Sequence, residues 1–484
     1  MELSDFKNKK ITVMGIGLHG GGIGVIKFLA AQGANILATD LRNREELKLS
    51  LEQLAKIKNI KYVLEGHRLE DFAETDMVIK NPGVPDDNEF IKVARAKNIP
   101  VESDIGIFFE LCPAPIIGVT GTKGKSTTAT LLAHFLGKKY PQVILAGNIR
   151  SSVLSKLPEI NKDSIVVLEL SSWQLADAKN HKISPYVAIL TNIFEDHLNR
   201  YANYEEYVND KRLIFKYQKP KDYLFINYNE SNLREIAKET KSKVYFYSPN
   251  GDELLEHNLP VLSQEPRLGA YFRGQKIYFG ANQEEICSLK DIKMMGRHVI
   301  NNVLGAISVA KLYDVKNSDI KIALHDFPGL EGRLQFIAQK GGVKFYNDTT
   351  ATTPESTIAA LNALADNFKD IKNRLVIIAG GADKSLNFKD LAKNICDKCQ
   401  GIILLKGTAT DKIKKEIDHC LKNNSEINLD IKEIDLMEKA VELAYKKAGK
   451  NGLVLLSPGC ASFGLFKHEF ERGDKFNQAV KELK

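Results

Sequence analysis

A loop rich in glycine and lysine, set between an apolar strand and a helix, carries the clearest chemistry in this sequence. The segment GVTGTKGKST, residues 118–127, follows the apolar run PIIGV and precedes TATLLAHFL. Glycines let a backbone fold tightly enough for its N–H groups to surround phosphate oxygens, and a helix start adds positive dipole. We expect Lys125 to neutralise the β- and γ-phosphates of a nucleotide and Ser126 to bind Mg²⁺ through its hydroxyl. Five residues separate Gly118 from the Gly-Lys pair, so the loop is a variant of the standard phosphate-loop pattern.

Two further apolar strands end in residues that could bind a metal ion. VVLELSSWQL places Glu169 at the end of one strand, and AILTNIFEDHLNRY places Asp196 and His197 just past another. Residues beyond the carboxyl ends of parallel strands line the ligand crevice of an open sheet. Glu169 and His197 could therefore face a metal and the phosphates at Lys125. Taken alone, His197 would more simply be a surface residue, but the phosphate loop favours the functional interpretation.

A second glycine pattern follows the first strand of the chain. Gly15, Gly17 and Gly20 fit GxGxxG after KKITVMG, and Asp40 lies twenty residues beyond Gly20. This pattern is typical of dinucleotide-binding loops and predicts a nucleotide-binding first segment. The bound pyrophosphate could belong to NAD or to a UDP-sugar. A tight turn needed only for packing is the alternative.

The remaining candidates are weaker. In the segment SPGCASFGLFKHEFERGDKF, residues 457–476, small residues follow a buried strand and lead into an aromatic-rich helix, which predicts a ligand-facing loop. Cys396 and Cys399 form a lone CxxC, and no further zinc ligands are obvious nearby. We interpret the six cysteines as ordinary reduced thiols of a cytoplasmic protein.

Three successive α/β segments would position these residues. The chain has 484 residues, which suggests three domains, and short apolar strands alternate with helical stretches in each segment. We predict a Rossmann-like domain at 1–112, a central P-loop ATPase-like parallel sheet at 113–326, and a second Rossmann-like domain at 327–484. Within the central domain, residues 241–290 predict a small extra antiparallel sheet.

Composition excludes several classes of protein. The net charge is +7, but the lysines are spread along the chain, so no basic block indicates nucleic acid as a partner. No run of 18 apolar residues occurs, and the N-terminus lacks the apolar region of a signal peptide. We expect a cytoplasmic monomer with no membrane insertion.

Taken in order, these motifs resemble those of the Mur ligase family. The resembling segments are GVTGTKGKST, AGNI (146–149), ELSSWQL (169–175), TNIFEDHLNRY (191–201), GLEGR (329–333), ND (347–348), GGADK (380–384) and SPGCASFGLFKHEFERG (457–473). ELSSWQL, GGADK and the last segment are most similar to the glutamate-adding branch. The resemblance implies an ATP-dependent carbon–nitrogen ligase of peptidoglycan synthesis. It would join glutamate, with the D-enantiomer favoured, to UDP-N-acetylmuramoyl-L-alanine through an acyl phosphate.

The resemblance also implies residue roles. Catalytic roles fall to Lys125, Lys211, His197 and Asn148. ATP contacts fall to Gly121, Thr122, Lys123, Gly124, Lys125, Ser126, Thr127, Asn302, Arg333 and Asp348. The UDP-substrate pocket would include Gly15, Leu18, His19, Asp40 and Arg42. The incoming amino acid would meet Thr350, Lys384, Ser462 and Phe470. Two Mg²⁺ ions would be held by Ser126, Glu169, His197 and Lys211, with Lys211 carbamoylated; by composition alone, Lys211 would be an exposed helix lysine.

Four positions depart from the family's pattern. Lys123 stands where asparagine is common, Val299 replaces one of two usual asparagines, and Gly332 replaces a histidine before the arginine. Thr350 replaces a lysine that helps to bind D-glutamate. This last departure leaves the handedness of the amino acid open, and the Thr-Thr-Pro pattern at 352–354 would suit an L-glutamate-adding branch.

Three other functions compete with this interpretation. A folylpolyglutamate synthase would lack a nucleotide domain such as residues 1–110. An NAD-dependent oxidoreductase would explain Gly15–Gly20 and Asp40 but would leave Lys125, Glu169 and Lys384 unexplained. A non-catalytic relative would have little need of Lys125 or Glu169.

Overall fold

Apolar runs of the sequence form the strands of three sheets in the part of the chain that the structure describes. The computed structural model describes residues 1–18, 20–147, 152–195, 201, 203–256, 259–296, 298–327, 329–384, 386–423 and 429–483. The chain forms two compact units, Met1–Asp291 with Ile300–His325 and Ile292–Val299 with Asp326–Lys484. The first unit contains two of the sheets, and the second unit contains the third.

The N-terminal sheet is parallel and has the first strand at its centre. Its strands are β1 (Lys10–Met14), β2 (Asn35–Thr39), β3 (Ile60–Val63), β4 (Met77–Lys80) and β5 (Val101–Glu102), and its helices are α1 (Gly21–Ala31), α2 (Lys48–Leu54), α3 (Leu69–Ala73), α4 (Glu89–Ala96) and α5 (Asp104–Leu111). The spatial order is β3-β2-β1-β4-β5. The strand order therefore reverses between β1 and β4, where open parallel sheets bind ligands.

The central sheet is the largest. Its strands are β6 (Ile116–Thr120), β7 (Val143–Gly147), β8 (Ile165–Glu169), β9 (Val187–Leu190), β10 (Tyr223–Asn227), β11 (Lys243–Ser248), β12 (Arg267–Arg273), β13 (Lys276–Phe279) and β14 (Glu284–Ser288), in the spatial order β14-β13-β12-β11-β10-β9-β6-β8-β7. The accompanying helices are α6 (Lys125–Leu136), α7 (Ser172–Asp177), α8 (Tyr204–Lys216), α9 (Ser231–Ile236), α10 (Gly251–Glu256), α11 (His298–Leu312) and α12 (Asn317–Asp326). The strands β6, β8 and β9 are buried throughout, as expected for parallel strands covered on both faces.

Residues 241–290 do not form a separate sheet, so that prediction was wrong. The strand β11 pairs in parallel with β10, and β12 pairs in parallel with β11, so the segment extends the central sheet. Antiparallel pairing joins β12 to β13 and β13 to β14. Without this extension, the N–H and C=O groups along one edge of β10 would have no strand partner; pairing with β11 satisfies them.

The third sheet lies in the second unit. Its strands are β15 (Gln335–Lys340), β16 (Val343–Asn347), β17 (Leu375–Ala379), β18 (Gly401–Leu405), β19 (Asp430–Ile434) and β20 (Leu453–Leu456), in the spatial order β15-β16-β20-β17-β18-β19. Its helices are α13 (Pro354–Asn367), α14 (Lys389–Lys398), α15 (Thr410–Asn423), α16 (Met437–Ala448) and α17 (Glu469–Glu482). The neighbouring strands β16, β20 and β17 are parallel, so the loops that follow them meet at one edge.

These three sheets confirm the predicted α/β fold class, while the boundaries of the predicted domains stay a prediction. Cys396 and Cys399 are each 1% exposed, lie in the apolar core beside the third sheet, and are free thiols. No helix in the described ranges is both long enough and apolar enough to cross a membrane.

Candidate active site

A cavity of about 510 Å³ lies at the carboxyl edge of the N-terminal sheet. It is lined by residues that follow β1, β2 and β4. Among them are the predicted UDP contacts Gly15, Leu18, Asp40 and Arg42. The structure therefore brings these four predicted residues together. The fifth, His19, lies outside the described residues.

Asp40 holds the first glycine loop in place. Its Oδ2 accepts hydrogen bonds from the backbone N–H groups of Ile16 and Gly17, both at 3.0 Å. Its Oδ1 accepts from the backbone N–H of Arg42 at 3.0 Å and from the Arg42 guanidinium at 3.2 Å. The glycine pattern predicted that loop N–H groups would surround a pyrophosphate, but two of them bind a carboxylate of this chain. A phosphate in this cavity would need other donors, and the Arg42 side chain is 45% exposed.

The second glycine loop ends at α6 and carries a lysine folded back onto it. Gly124 precedes the helix with a φ of 85°, a left-handed conformation that favours glycine. Lys125 Nζ donates hydrogen bonds to the carbonyl oxygens of Gly121 and Thr122, both at 3.0 Å. The ammonium group is thus held inside the loop where the phosphates are predicted to bind.

Lys211 adds a second positive charge to the same loop. It lies on α8, is 1% exposed, and donates from Nζ to the Gly121 carbonyl oxygen at 2.9 Å. Its Nζ also lies 4.7 Å from the centre of the Tyr207 ring. The alternative of an exposed helix lysine is therefore wrong.

Polar groups after β9 and on α8 clamp the loop, and their roles were not predicted. Thr191 Oγ1 donates to the Lys123 carbonyl oxygen at 2.7 Å. Asn192 accepts from the Lys123 N–H at 2.8 Å and donates to the Lys123 carbonyl oxygen at 3.0 Å. Tyr207 Oη lies 2.9 Å from Thr122 Oγ1. The signal in the sequence is the polar Thr191–Asn192 pair directly after the apolar strand β9.

Asn302, the predicted adenine contact, packs against the phosphate loop. A Cβ atom added to Gly124 would lie 2.2 Å from Asn302 Oδ1, so the two residues are close neighbours. Thr128 Oγ1 donates to the same Oδ1 at 3.4 Å. Asn302 is 5% exposed. Because its side chain is buried against Gly124, it helps to fix the conformation of the loop.

Oxygen ligands suited to a cation lie at the carboxyl ends of β6 and β8. Ser126 is in the first turn of α6, and Glu169 ends β8 and is 2% exposed. Hydroxyl and carboxylate oxygens are the ligands that Mg²⁺ prefers, so both residues fit the predicted ion. His197 and Asn148 lie outside the described residues. Within the described ranges, no group of three or more His, Cys, Asp or Glu residues forms a metal site.

A second cavity, of about 380 Å³, adjoins the first. It is lined by Lys125, Lys211, Tyr207 and residues 171–174. Both cavities share four lining residues, namely Asn81, Pro82, Gly83 and Gln174. A ligand anchored beside the first glycine loop could therefore extend to the two lysines of the second. Residues 81–83 follow β4 and were not singled out from the sequence.

In the second unit, the predicted ribose contact Asp348 is buried at the end of β16. Its Oδ1 accepts a hydrogen bond from the Leu334 N–H at 3.0 Å, and its Oδ2 accepts from Ser457 Oγ at 2.7 Å. Burial raises the pKa of Asp348 to about 7, although the Ser457 hydrogen bond acts in the opposite direction. Arg333, the predicted phosphate contact, is exposed and directly precedes Leu334. The structure thus brings Asp348 and the segment that carries Arg333 together.

Two of the departures from the family's pattern contact each other. The Thr350 hydroxyl donates to the Gly332 carbonyl oxygen at 2.8 Å, and the Thr350 N–H donates to it at 3.0 Å. A Cβ atom on Gly332 would lie 2.8 Å from Thr349 Cγ2 and 3.3 Å from Thr350 Cγ2. The glycine therefore makes room for the threonines. Because the Thr350 hydroxyl proton is donated to the Gly332 carbonyl oxygen, the hydroxyl oxygen can only accept a hydrogen bond from a ligand.

The loops after β17 and β20 carry the other predicted amino-acid contacts. Ala382 and Ala461 exchange backbone hydrogen bonds at 2.9 and 3.2 Å, which places the segments of Lys384 and Ser462 side by side. Lys384 is exposed and Ser462 is 3% exposed. Phe470 is half-buried near the start of α17.

Arg472, which sequence reasoning missed, ties these loops together. It is fully buried and donates to Thr349 Oγ1 at 3.2 Å, to the Thr349 carbonyl oxygen at 2.8 Å and to the Cys460 carbonyl oxygen at 3.2 Å. Burial lowers the pKa of Arg472 to about 10. In the sequence it looks like one more surface charge of a polar helix, and only its position against β16 and β20 distinguishes it.

The predicted site residues thus form three groups. The first unit contains a nucleotide-type cavity and an adjoining cationic phosphate loop, and the second unit contains polar loops at one edge of its sheet. Together with the three α/β sheets, these features are typical of a nucleotide-binding α/β enzyme.

Comparison with known proteins identifies the family. Three family models match in succession: the MurD-like N-terminal domain of Mur ligases at residues 9–103, the Mur ligase middle domain at 119–310, and the Mur ligase glutamate ligase domain at 332–460. The chain is 39% identical over 479 residues to a UDP-N-acetylmuramoylalanine–D-glutamate ligase of Roseiflexus sp., with 98% of each chain covered. It is 36% identical over 485 residues to the enzyme of that name from Borreliella burgdorferi, with both chains fully covered. The chain belongs to the Mur ligase family, which confirms the resemblance and argues against an oxidoreductase.

A solved structure supports the fold. The crystal structure of the UDP-N-acetylmuramate–alanine ligase of Thermotoga maritima aligns with a TM-score of 0.61 over 99% of this chain and 100% of its own, at 17% identity. At that identity the likeness concerns the fold alone.

Proposed function

We propose that this protein is an ATP-dependent ligase that joins D-glutamate to the alanine carboxylate of UDP-N-acetylmuramoyl-L-alanine. The observation that carries the proposal is the pair of adjoining cavities with four shared lining residues. A long substrate held at its nucleotide end beside Asp40 and Arg42 would place its far end near Lys125 and Lys211. The names of the relatives from Roseiflexus sp. and Borreliella burgdorferi agree with this substrate.

The reaction has two steps. An oxygen of the alanine carboxylate attacks the γ-phosphorus of ATP, forming an acyl phosphate while the bond to ADP breaks. The amine of glutamate then attacks the acyl carbon, so that an amide forms, inorganic phosphate leaves and the amine loses a proton. Lys125 would offset the negative charge of the transferring phosphoryl group, and the clamp of Thr191 and Asn192 would hold the loop in a fixed geometry.

Ser126 and Glu169 would hold Mg²⁺, which when bound supplies further charge stabilisation to the phosphates. A second ion would involve His197 and a carbamoylated Lys211. Carbamoylation forms a bond from Nζ to the carbon of CO₂ and releases two protons from the ammonium group, which converts a cation into an anion. The burial of Lys211 at the loop supports this role, because a buried ammonium beside a metal ion would repel it.

We propose the D-enantiomer of glutamate, as in the names of the relatives. Lys384 would pair with one carboxylate and Ser462 would hydrogen-bond to it. The replacement of a lysine by Thr350 is accommodated locally, since Thr350 binds the Gly332 carbonyl. The alternative L-glutamate specificity rests on that replacement and on the Thr-Thr-Pro pattern at 352–354.

The test is phosphate release by the purified protein with ATP, Mg²⁺ and UDP-N-acetylmuramoyl-L-alanine against pure D- and L-amino acids. We expect turnover with D-glutamate and far less with L-glutamate. A preference for L-glutamate would overturn the stereochemical part of the proposal, and no turnover with either enantiomer would overturn glutamate as the substrate.

A further inference from the structure

An exposed aromatic ring stands at the edge of the third sheet, beside Lys384. Phe463 is 60% exposed, whereas Phe466, three residues later in the same segment, is 8% exposed and lies in the core. Lys384 Nζ lies 6.0 Å from the centre of the Phe463 ring, within the range of a cation–π interaction. Single exposed apolar residues are common, so exposure by itself does not indicate a function.

The backbone that presents this ring is held from several sides. The Cys460 carbonyl oxygen accepts from the buried Arg472 guanidinium, and Ala461 is paired with Ala382. A Cβ atom on Gly381 would lie 2.3 Å from the Ala461 carbonyl oxygen, so the two loops are in close contact. The backbone is therefore anchored at residues 460 and 461, just before the ring.

Charge and apolar surface alternate at this edge in a way that fits a dicarboxylate amino acid. Such an amino acid has charged ends separated by a short methylene chain. Lys384 provides a cation, and the Phe463 ring beside it provides an apolar face whose hydration is unfavourable. Ser462, which precedes the ring and is 3% exposed, offers a polar group.

We propose that Phe463 is a specificity-determining residue, whose ring covers the methylene chain of the incoming glutamate and orients the Lys384 ammonium toward its carboxylate. This inference rests on the proposed ligase function and adds to it a contact that neither the motifs nor the family models assign. Because the ring would contact only the amino acid among the three substrates, its removal should change recognition of the amino acid and leave recognition of ATP and the UDP-precursor unchanged.

The experiment compares three variants in steady-state kinetics. Phe463→Ala removes the ring, Phe463→Leu keeps an apolar side chain without a π-face, and Phe336→Ala removes a ring that is 50% exposed on β15 of the same unit. For Phe463→Ala we expect the KM for D-glutamate to rise about tenfold, with the KM values for ATP and the UDP-precursor unchanged. Phe463→Leu should lie between that variant and the wild type, and Phe336→Ala should match the wild type.

Two results would overturn the inference. One is an unchanged KM for D-glutamate in Phe463→Ala. The other is an equal rise in the KM values of all three substrates, which would indicate a structural role. Failure of the proposed function looks different, because the wild-type protein itself would then show no turnover with D-glutamate.

Discussion

The two glycine loops of the first unit share a backbone geometry and differ in charge. Gly20 before α1 has φ and ψ of 86° and −11°, and Gly124 before α6 has 85° and −7°. In the first loop, the Asp40 carboxylate accepts from backbone N–H groups. In the second loop, the ammonium groups of Lys125 and Lys211 donate to backbone carbonyls. We propose that one strand–loop–helix design serves two kinds of ligand, and that the side chains that reach each loop from elsewhere decide which ligand it binds.

The largest expected effect is the loss of the charge that distinguishes the second loop. Lys125→Ala should reduce phosphate release at least about a hundredfold, because backbone dipoles alone would remain to stabilise the transferring phosphoryl group. Binding of the UDP-precursor, measured by calorimetry, should change little, since its nucleotide end would be anchored in the first cavity, which Lys125 does not line. Lys138→Ala, an exposed lysine after the same helix, is the control. Wild-type turnover in Lys125→Ala would contradict the assignment of the loop.

Removal of the Lys211 side chain should have an effect that small molecules can reverse. Lys211→Ala should be inactive and partly rescued by a short carboxylic acid that replaces the carbamate in the buried site. Lys216→Ala removes an exposed lysine from the same helix and should behave as the wild type. Turnover with and without added acid is the measurement, and full activity without the acid would refute a metal-bridging role.

Removal of the Asp40 charge from the first loop should weaken binding of the UDP-precursor and leave ATP binding unchanged. Asp40→Asn removes the negative charge that binds Ile16, Gly17 and Arg42, and charge-assisted hydrogen bonds are worth about 1.5–3 kcal/mol. We expect the Kd for the UDP-precursor to rise about tenfold or more, while the KM for ATP stays unchanged. If the KM for ATP rises equally, the two loops are not independent sites.

Replacing one glycine of each loop by alanine distinguishes the loss of stability caused by backbone strain from the loss caused by a steric clash with a side chain. Gly17 has a φ of 69° and open space around a new Cβ, so Gly17→Ala should lose only about 1 kcal/mol of unfolding free energy. Gly124→Ala would bring Cβ to 2.2 Å from Asn302 Oδ1 and should lose more. The double variant Gly124→Ala with Asn302→Ala should recover part of that loss. Urea unfolding is the measurement, and equal losses at both glycines would contradict the comparison.

The smallest expected effect concerns the contact between the segments that carry the two loops. His181 Nε2 lies 2.8 Å from a Glu102 oxygen and Nδ1 lies 3.0 Å from a Glu110 oxygen. The hydrogen bond to Glu102, supported by Glu110, raises the pKa of His181 above 6.5 despite its burial. The stabilisation is therefore complete below about pH 6.5 and is lost as the pH rises through the folded-state pKa.

This contact predicts a pH-dependent stability difference. Relative to His181→Gln, the wild type should be more stable in acid, by about 1 kcal/mol or less, and the advantage should shrink above pH 6.5. Thermal unfolding of both proteins between pH 5.5 and about pH 8.5 measures it. A constant difference across that range would show that the His181 charge contributes nothing. The N-terminal ammonium, 3.6 Å from Glu110, is the other charge at this contact.

Much of the fold was predictable because its signals are local. The apolar runs around residues 9–17, 164–170 and 452–459 became β1, β8 and β20. The glycines at the loops were recognisable because a left-handed turn before a helix requires them whatever surrounds it. The predicted roles of Lys384, Ser462 and Phe470 depend on the family resemblance and stay predictions.

Long-range packing decided the rest. The segments KVYFYS and GAYFRG do not indicate their strand partners. Only the folded structure shows that β11 pairs with β10 and that β12 pairs with β11, which extends the central sheet. Likewise, Arg472 has the composition of a surface residue, and its burial follows from the position of α17 against β16.

The sequence by itself determined where the chain turns tightly, which segments form strands, and that two loops could bind nucleotides. The tertiary structure alone decided that Asp40 closes the first loop, that Lys211 reaches the second, and that Gly332 makes room for Thr350. The physical reason is the distance along the chain over which each effect acts. Backbone preferences act over a few residues, whereas the charge and space at a site depend on side chains that folding brings together from distant parts of the chain.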